Sequence, residues 1–435
     1  MEDISARKLV TTSKLVPTIH SKFPISKSSV IDQSIENVER CTIYPEASDL
    51  NSGSAIIFMV NESPGLYIDV ASLELEINLS LLKPNDARLA AGDRAYFINN
   101  LLSTLFPIRK VSIAGTNVET QYYGSYLANI KHLLEGNNES VNKIGKPRGL
   151  FALDHTKMRS PINQATAQAN DERMTWSKNG DDVVMRGYLD LDICSLNKFL
   201  LDLTNIKISL EPASNPFVIN SDANGVAFKK RINSIKLYVN KIRPSAGAFL
   251  SVTKSVLRDP MEYILTRNIV HSQIIAANQS SLIINRPWQN RIPQKIYLFI
   301  VKQSSDSGVY NESPLYFHHC GLSEYRVMID GTTLVEQSCT SADGYIGPYV
   351  NSQLANENSP DFIPFHLYSN GGFLLIIKTN HSQKHELSFE LKGNMSLHLK
   401  FKEALAENHV VYLVGEHHTS LQITSDRACI TNYSY

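Results

Sequence analysis

The chain has 435 residues, and Lys plus Arg balances Asp plus Glu at 42 each, so its formal net charge is zero. A chain without excess positive charge is not expected to carry nucleic acid wrapped directly on its surface, which takes clustered Lys and Arg. A hydrophobic content of 43% is ordinary and sufficient for a sizeable core, and the length suggests two or three domains or one large β domain.

Five cysteines, Cys41, Cys194, Cys320, Cys339 and Cys429, are odd in number, widely spaced and form no CxxC. They read as free thiols in a reducing compartment. Residues 1–30 hold no apolar stretch of the kind a secretory leader needs, so none is expected there. No run of eighteen apolar residues is present to span a membrane as a helix. The sequons at Asn61, Asn138 and Asn394 therefore read as chance matches.

Residues 1–40 read as an arm. In the first thirty, Arg7, Lys8, Lys14, Lys22 and Lys27 outnumber Glu2 and Asp3, Ser and Thr are frequent, and apolar periodicity is weak. Such a segment is either a disordered terminus or an arm that orders on a neighbouring subunit or the inner face of a shell.

Strand patterning then takes over. Leu73, Leu75, Ile77, Leu79 and Leu81 alternate with Glu74, Glu76, Asn78 and Ser80, a period of two with one buried face. The alternation recurs at Leu189–Ile193, Ile206–Leu210 and Ile235–Val239, and is longest from Leu387 through Phe389, Leu391, Met395, Leu397 and Leu399 to Phe401, with a bend at Gly393-Asn394. The apolar run Ile296–Val301 reads as a strand buried on both faces. Helical spacing is rare. Tyr126, Leu127, Ile130, Leu133 and Leu134 predict one helix, with Gly136 as its C-terminal cap, and 248–257 predicts another. The polar stretch 137–182 is too long for an ordinary connection and is expected to be a large exposed loop. Many strands with few short helices define an all-β sandwich class.

The chain also resembles itself. Val111-Ser-Ile113-Ala-Gly115-Thr116 matches Val327-Met-Ile329-Asp-Gly331-Thr332 at an offset of 216 residues, and Tyr122-Tyr-Gly124-Ser-Tyr126 matches Tyr345-Ile-Gly347-Pro-Tyr349 at an offset of 223. Two matches in the same order imply two copies of one β domain, joined near 225–245, and the period is far too long for a solenoid. An eight-stranded jelly roll fits each half in length.

Candidate chemistry is thin. His318-His319-Cys320 and Glu416-His417-His418 place neighbouring side chains on opposite strand faces, so neither converges on a metal. Asp190 and Asp192, at spacing two, could form a carboxylate pair, but a solvated strand face explains them more simply. Gly145-Lys146 runs into Pro147 and lacks the Ser or Thr and the earlier Gly of a phosphate loop, and there is no GxSxG elbow. No catalytic, cofactor-binding or metal residue is expected.

Several blocks resemble the double jelly-roll major capsid proteins of the Polinton/Maverick and adintovirus-like group. They are Tyr44-Pro45-Glu46 through Leu50, Gly53 through Phe58, and Tyr67-Ile68-Asp69. The most specific is Phe97-Ile-Asn99-Asn100-Leu-Leu-Ser103-Thr-Leu105-Phe106, followed by the Gly115 strand and the Tyr126 helix. In the second half come Pro293-Gln-Lys295, then Gly308, Asn311, Pro314, Phe317 and His318, and last Gly393 through Phe401, Ala404-Leu405, Ile423 and Arg427. Gly124-Ser-Tyr126 departs from a Pro-containing Tyr motif frequent in that group, and 137–182 matches it poorly.

The resemblance implies two tandem eight-stranded jelly rolls with a few short helices in loops: an arm over 1–40, a first jelly roll over 41–230 and a second over 231–435. It implies a structural, non-enzymatic role: homotrimers forming pseudo-hexagonal capsomers, and an icosahedral shell around double-stranded DNA enclosed without sequence-specific contact. Penton and minor capsid proteins would be its other partners, and the virion its location. Asn99, Asn100, Phe106, Gly115, Tyr126, Phe317 and Gly331 are the structural motif positions. Gly115 and Gly331 are expected in turns and Phe106 and Phe317 in the core. The alternative is a jelly-roll module that binds carbohydrate or a receptor, for which Met174-Thr-Trp176 is the one candidate platform.

Overall fold

The computed structural model describes residues 33–90, 92–135, 145–151, 162, 171–223, 225–339, 345–356, 363–379 and 391–432. Most of residues 1–40, the cap at Gly136, and Leu387 and Phe389 lie outside them.

Sixteen strands build two sandwiches of identical topology. In the first half they are β1 (Ile35–Ile43), β2 (Ile56–Val60), β3 (Tyr67–Leu82), β4 (Ile108–Ile113), β5 (Thr116–Gln121), β6 (Val183–Tyr188), β7 (Ile206–Glu211) and β8 (Lys229–Pro244). In the second they are β9 (Met261–Ile275), β10 (Ser281–Asn285), β11 (Lys295–Lys302), β12 (Leu322–Ile329), β13 (Thr332–Ser338), β14 (Leu375–Lys378), β15 (Met395–Phe401) and β16 (His409–Ile423). The first half forms sheets β1-β8-β3-β6 and β2-β7-β4-β5, the second β9-β16-β11-β14 and β10-β15-β12-β13. Adding eight to each strand number of the first half gives the second. All the pairings are antiparallel, and the order is that of a jelly roll, so the fold is two tandem jelly rolls. Among the described residues no strand of one half pairs with a strand of the other.

The period-two pattern does what it predicts. Leu73, Leu75, Ile77, Leu79 and Leu81 of β3 are fully buried between the sheets while Glu74 and Glu76 face outward. Each such leucine or isoleucine contributes about 1.5–3 kcal/mol through burial. The self-matching hairpins also coincide. β4–β5 and β12–β13 each turn on two residues with left-handed backbone, Ala114 (φ 48°) and Gly115 (φ 79°), and Asp330 (φ 48°) and Gly331 (φ 81°). Positive φ at both central residues is the twist-matched two-residue turn. Both hairpins also carry a register shift just before the turn, at Val111/Ser112 and at Val327/Met328.

Helix α1 (Gly124–Glu135) follows β5, and α3 (Ile346–Ala355) follows β13 at the equivalent place. Helix α2 (Ala246–Arg258) links the halves, with the Ser245 side chain accepting from the Ala248 amide at its start.

Four expectations are corrected. Ile35–Arg40, assigned to the arm, belong to β1 and pair with β8. The second half does not begin at 231, because that residue lies inside β8, whose partners β1 and β3 are in the first jelly roll. The alternation at Leu189–Ile193 is not a strand: β6 ends at Tyr188 and a short 3-10 turn spans Asp192–Ser195. The described parts of 137–182 are not an exposed loop. Phe151, Ile162, Arg173 and Ser177 are buried, and Asp171–Trp176 is a short helix.

Candidate functional site

The feature that makes one body of two jelly rolls is a seam where α1 lies on the outward face of sheet β9-β16-β11-β14. Its central strands β16 and β11 are buried on both faces over Val410–Val414 and Ile296–Val301. Leu298 and Leu413 point into the sandwich, whereas Phe299 and Tyr412, the next residues along, turn toward α1. This is why Ile296–Val301 is apolar apart from the Tyr297 hydroxyl.

Tyr126 enters the seam from α1. Its ring centroid lies 5.4 Å from Phe299, 5.1 Å from Tyr412, 6.1 Å from Phe217 and 6.3 Å from Phe317. Phe299 stacks on Phe317 at 4.3 Å and on Tyr412 at 5.1 Å. Tyr123, just before α1, packs edge-on to Tyr412 at 5.1 Å, with its hydroxyl 3.2 Å from Ser272 Oγ on β9. Aromatic pairs of this kind contribute about 0.5–1.5 kcal/mol beyond their buried area. Two buried hydroxyls close the cluster, since Tyr126 and Tyr412 each donate to Asp306 Oδ1 at 2.7 Å. Burial and the neighbouring Asp306 carboxylate push both phenols up from their ordinary value, so both remain donors.

A polar layer flanks the aromatics. Arg109 of β4 is buried and donates to the carbonyls of Phe106 (2.9 Å), Asp190 (2.7 Å) and Ser103. The Asp190 carboxylate accepts from Ser103 Oγ at 2.5 Å and Lys131 Nζ at 3.1 Å. Burial pulls its pKa up, but Lys131 and Arg109 outweigh burial and hold it below the usual carboxylate range. Asp192 crosses the seam: its carboxylate accepts from the Asn268 amide at 3.1 Å and from Asn268 Nδ2 at 3.0 Å on β9. Buried Glu119 accepts the amides of Asp192 (2.8 Å) and Ile193 (2.9 Å). Burial raises the pKa of both Glu119 and Asp192, and the Asp192 charge adds to the rise at Glu119. A cavity of about 250 Å³ remains beside this layer, between α1 and β16. Farther along, Arg427 Nη2 meets Asp202 Oδ1 at 2.6 Å, and Tyr263 donates to the Phe199 carbonyl at 3.1 Å.

Of the motif positions, Tyr126 and Phe317 meet in the aromatic cluster. Asn99, Asn100 and Phe106 lie just beneath α1. Asn100 is left-handed (φ 53°) and its Nδ2 donates to the Ala128 carbonyl of α1 at 3.3 Å. Asn99 pairs with both backbone groups of Phe151, at 3.0 and 2.8 Å, and so pins the segment after α1. Phe106 is buried and offers its carbonyl to Arg109. Gly115 and Gly331 sit apart, in the two hairpin turns. Asp306, Tyr412, Phe299 and Arg109 carry the seam without having been singled out in the sequence. The signal available for Phe299 was the doubly apolar strand, which requires a cover on its second face.

Asp190 and Asp192 are not a solvated strand face: Asp192 is buried, and each carboxylate is held by its own hydrogen bonds. His318-His319-Cys320 forms the turn before β12, with Cys320 left-handed, and His319 Nδ1 lies 2.9 Å from the Tyr345 hydroxyl. Glu416 accepts from the Tyr297 hydroxyl at 3.0 Å, while His417 packs on Trp288. Among the described residues no three His, Cys, Asp or Glu side chains are grouped to hold a metal. Trp176 is half-buried and packs edge-on against Phe151 at 5.6 Å, which takes it away from service as an exposed sugar platform.

No family profile matches the chain. A Caenorhabditis elegans protein, uncharacterized protein F54H12.2, is 20% identical over 148 residues, which cover 34% of this chain and 35% of that protein's length. Solved structures match far more of it. A chain of the Sputnik virophage particle aligns over 96% of this chain and 93% of its own, with a TM-score of 0.65 at 11% identity. The mavirus major capsid protein aligns over 99% and 95% (TM-score 0.55, 13% identity), and the Faustovirus major capsid protein over 96% of each (0.58, 8%). The chain therefore has the double jelly-roll fold found in major capsid proteins of virophages and giant viruses.

Proposed function

We propose that this chain is a structural capsid protein that trimerises into pseudo-hexagonal capsomers and assembles an icosahedral shell around double-stranded DNA. One observation carries the reading: two jelly rolls of the same topology are fused through an aromatic seam into a single block, and capsid proteins match that block over nearly the whole of both chains. A rigid block of two like units lets three chains fill six near-equivalent positions. The balanced charge suits DNA enclosed without sequence-specific contact.

The role is mechanical, and the carboxylates Asp190, Asp192 and Glu416 are engaged in hydrogen bonds of the fold. In this reading the two units divide within α2, and the protein resides in the virion beside penton and minor capsid proteins. The blocks around Asn99-Asn100 and Gly393 support a place in the Polinton/Maverick and adintovirus-like group.

The test is the solution mass of the full chain by light scattering, with negative-stain imaging of the same sample. A mass of three chains and pseudo-hexagonal particles are expected. A single-chain mass at every concentration and salt tested would refute the reading.

A further inference from the structure

We propose that the hairpin after β16 is a clasp on the first jelly roll, and that Arg427 at its tip is the positioning residue that sets the angle between the two rolls. The inference rests on the capsid reading, because that angle decides whether three chains can place six units in one ring.

The duplication shows which parts a jelly roll needs. β8 and β16 hold the same place in the two rolls, each between two strands of its sheet. β8 ends at Pro244 and the chain runs on into α2. β16 instead turns back on itself. The Thr424 amide donates to the Ala428 carbonyl at 3.0 Å, and β17 (Cys429–Thr431) pairs antiparallel with Leu421–Ile423. The first roll closes without such a hairpin, so the second sandwich does not depend on one. The tip of the hairpin reaches the first roll.

Arg427 makes the contact. Its Nε donates to the Asp202 carbonyl at 2.8 Å and its Nη2 to Asp202 Oδ1 at 2.6 Å, while Nη1 donates to the Ser425 carbonyl of its own turn at 3.2 Å. A planar fork held at three points fixes direction as well as distance. The pair is largely buried, with 20% of the Arg427 side chain and 5% of that of Asp202 exposed. The other Asp202 oxygen accepts the Gly65 amide, just before β3, at 3.2 Å. Arg427 also has left-handed backbone (φ 66°), a conformation that favours glycine or asparagine. An arginine at such a place gives up backbone ease for its guanidinium. Thr116 supplies a second point: its hydroxyl donates to the Cys429 carbonyl at 3.1 Å, whereas its counterpart Thr332, at the turn of the second roll, is exposed. The clasp lies far from the aromatic seam, since the stretch of β16 from Tyr412 to Ile423 is about 35 Å long at about 3.3 Å a residue. The same first-roll loop meets β9 at this end, with Lys198 Nζ donating to the Glu262 carbonyl at 2.9 Å. Over that lever a small rotation at the seam becomes a large displacement at the far end, and the Arg427 fork stops it.

The test uses the full chain with Arg427→Gln, which removes the charge and the fork, and Arg427→Lys, which keeps the charge without the fork. Fluorophores on genetically encoded amino acids replace the exposed Val184 and Ile283, one in each roll, so the native cysteines stay untouched. Energy transfer in wild type should give one narrow distance distribution. Both arginine variants should broaden it while circular dichroism stays that of wild type, and both should need about tenfold more protein to reach a mass of three by light scattering. Thr116→Val removes only a hydroxyl and should broaden the distribution less, in the same direction. It decides the matter if the arginine variants do not fold: an unbroadened distribution there overturns the clasp. Arg427→Gln with the wild-type distribution and mass overturns it too, and full recovery by Arg427→Lys overturns the positioning role of the fork. A wild type that never exceeds one chain overturns the capsid reading, while the distances still decide the clasp.

Discussion

Asp306 is the point at which the seam can be weighed. Its Oδ1 accepts two hydrogen bonds at 2.7 Å, from Tyr126 of the first jelly roll and Tyr412 of the second. Hydrogen bonds to an ionised group contribute about 1.5–3 kcal/mol each, and a buried hydroxyl without a partner costs about 1–3 kcal/mol. Asp306→Ala removes one acceptor and orphans two hydroxyls, so it should lower unfolding free energy by about 3–5 kcal/mol. Tyr412→Phe, which leaves the Tyr126 bond intact, should cost about 1–2 kcal/mol. Because the hydroxyls share one oxygen, the Tyr126→Phe/Tyr412→Phe pair should not be additive. Urea unfolding followed by fluorescence suits the question, since Trp176 reports on the first half and Trp288, bonded to the Ile269 carbonyl at 2.9 Å, on the second. In single-tryptophan backgrounds both reporters should shift together, because the seam belongs to both halves. An Asp306→Ala variant within about 1 kcal/mol of wild type, well below the cost of two orphaned hydroxyls, would refute the account.

Three further outcomes are expected. Gly115→Val should cost about 1–3 kcal/mol in thermal or urea unfolding and Gly115→Asn much less; a Cβ there meets nothing within 4 Å, so the cost comes from the positive φ alone. His132 on α1 is buried, neither ring nitrogen meets a partner among the described residues, and burial depresses its pKa to about 4. A depressed histidine contributes stability that is present above its ordinary value of 6.5 and lost as pH falls toward 4, so His132→Leu should flatten the fall of the unfolding midpoint between pH 6.5 and 4. Glu119 is shifted the other way, up to about 8 by burial, so its contribution is full below its ordinary 4.5 and lost as pH rises toward 8. Glu119→Gln should lower overall stability, since one of two backbone amides loses its acceptor, yet remove that decline between pH 4.5 and 8, as a pH series of urea melts would register.

Much of the fold was legible because it was written twice. The alternation in β3 identified a half-buried strand, and the paired Gly115 and Gly331 segments marked the same hairpin in both halves. What failed was local pattern without its partners. Lys229–Pro244 stands at the middle of the chain and invites a boundary there, yet it pairs with β1 and β3, some 150 to 200 residues earlier. Leu189–Ile193 alternates as a strand should, but Asp192 is drawn into a turn by Glu119 and Asn268. The seam was the hardest part to see. Tyr126 read as one residue of a helix and Phe317 as a core aromatic, and nothing local distinguishes an aromatic packed within a sandwich from one that joins two. Asp306 looks like any acidic residue in a polar loop until the two hydroxyls that converge on it are known.

The place of β8 has a consequence for how the chain must be made. β1, formed by residues 35–43, has β8 as its strand partner, and β8 ends at residue 244. During synthesis β1 and the long flank of β3 therefore wait, edges open, for some two hundred residues before the strand that fits between them emerges. The second jelly roll repeats the delay, with β9 waiting for β16. Pairings of such long range form slowly and leave unpaired strand edges at risk of joining a neighbour's. In a crowded site of synthesis those neighbours are identical nascent chains, so the same strands that later lock each block must first be kept from pairing with the wrong copy.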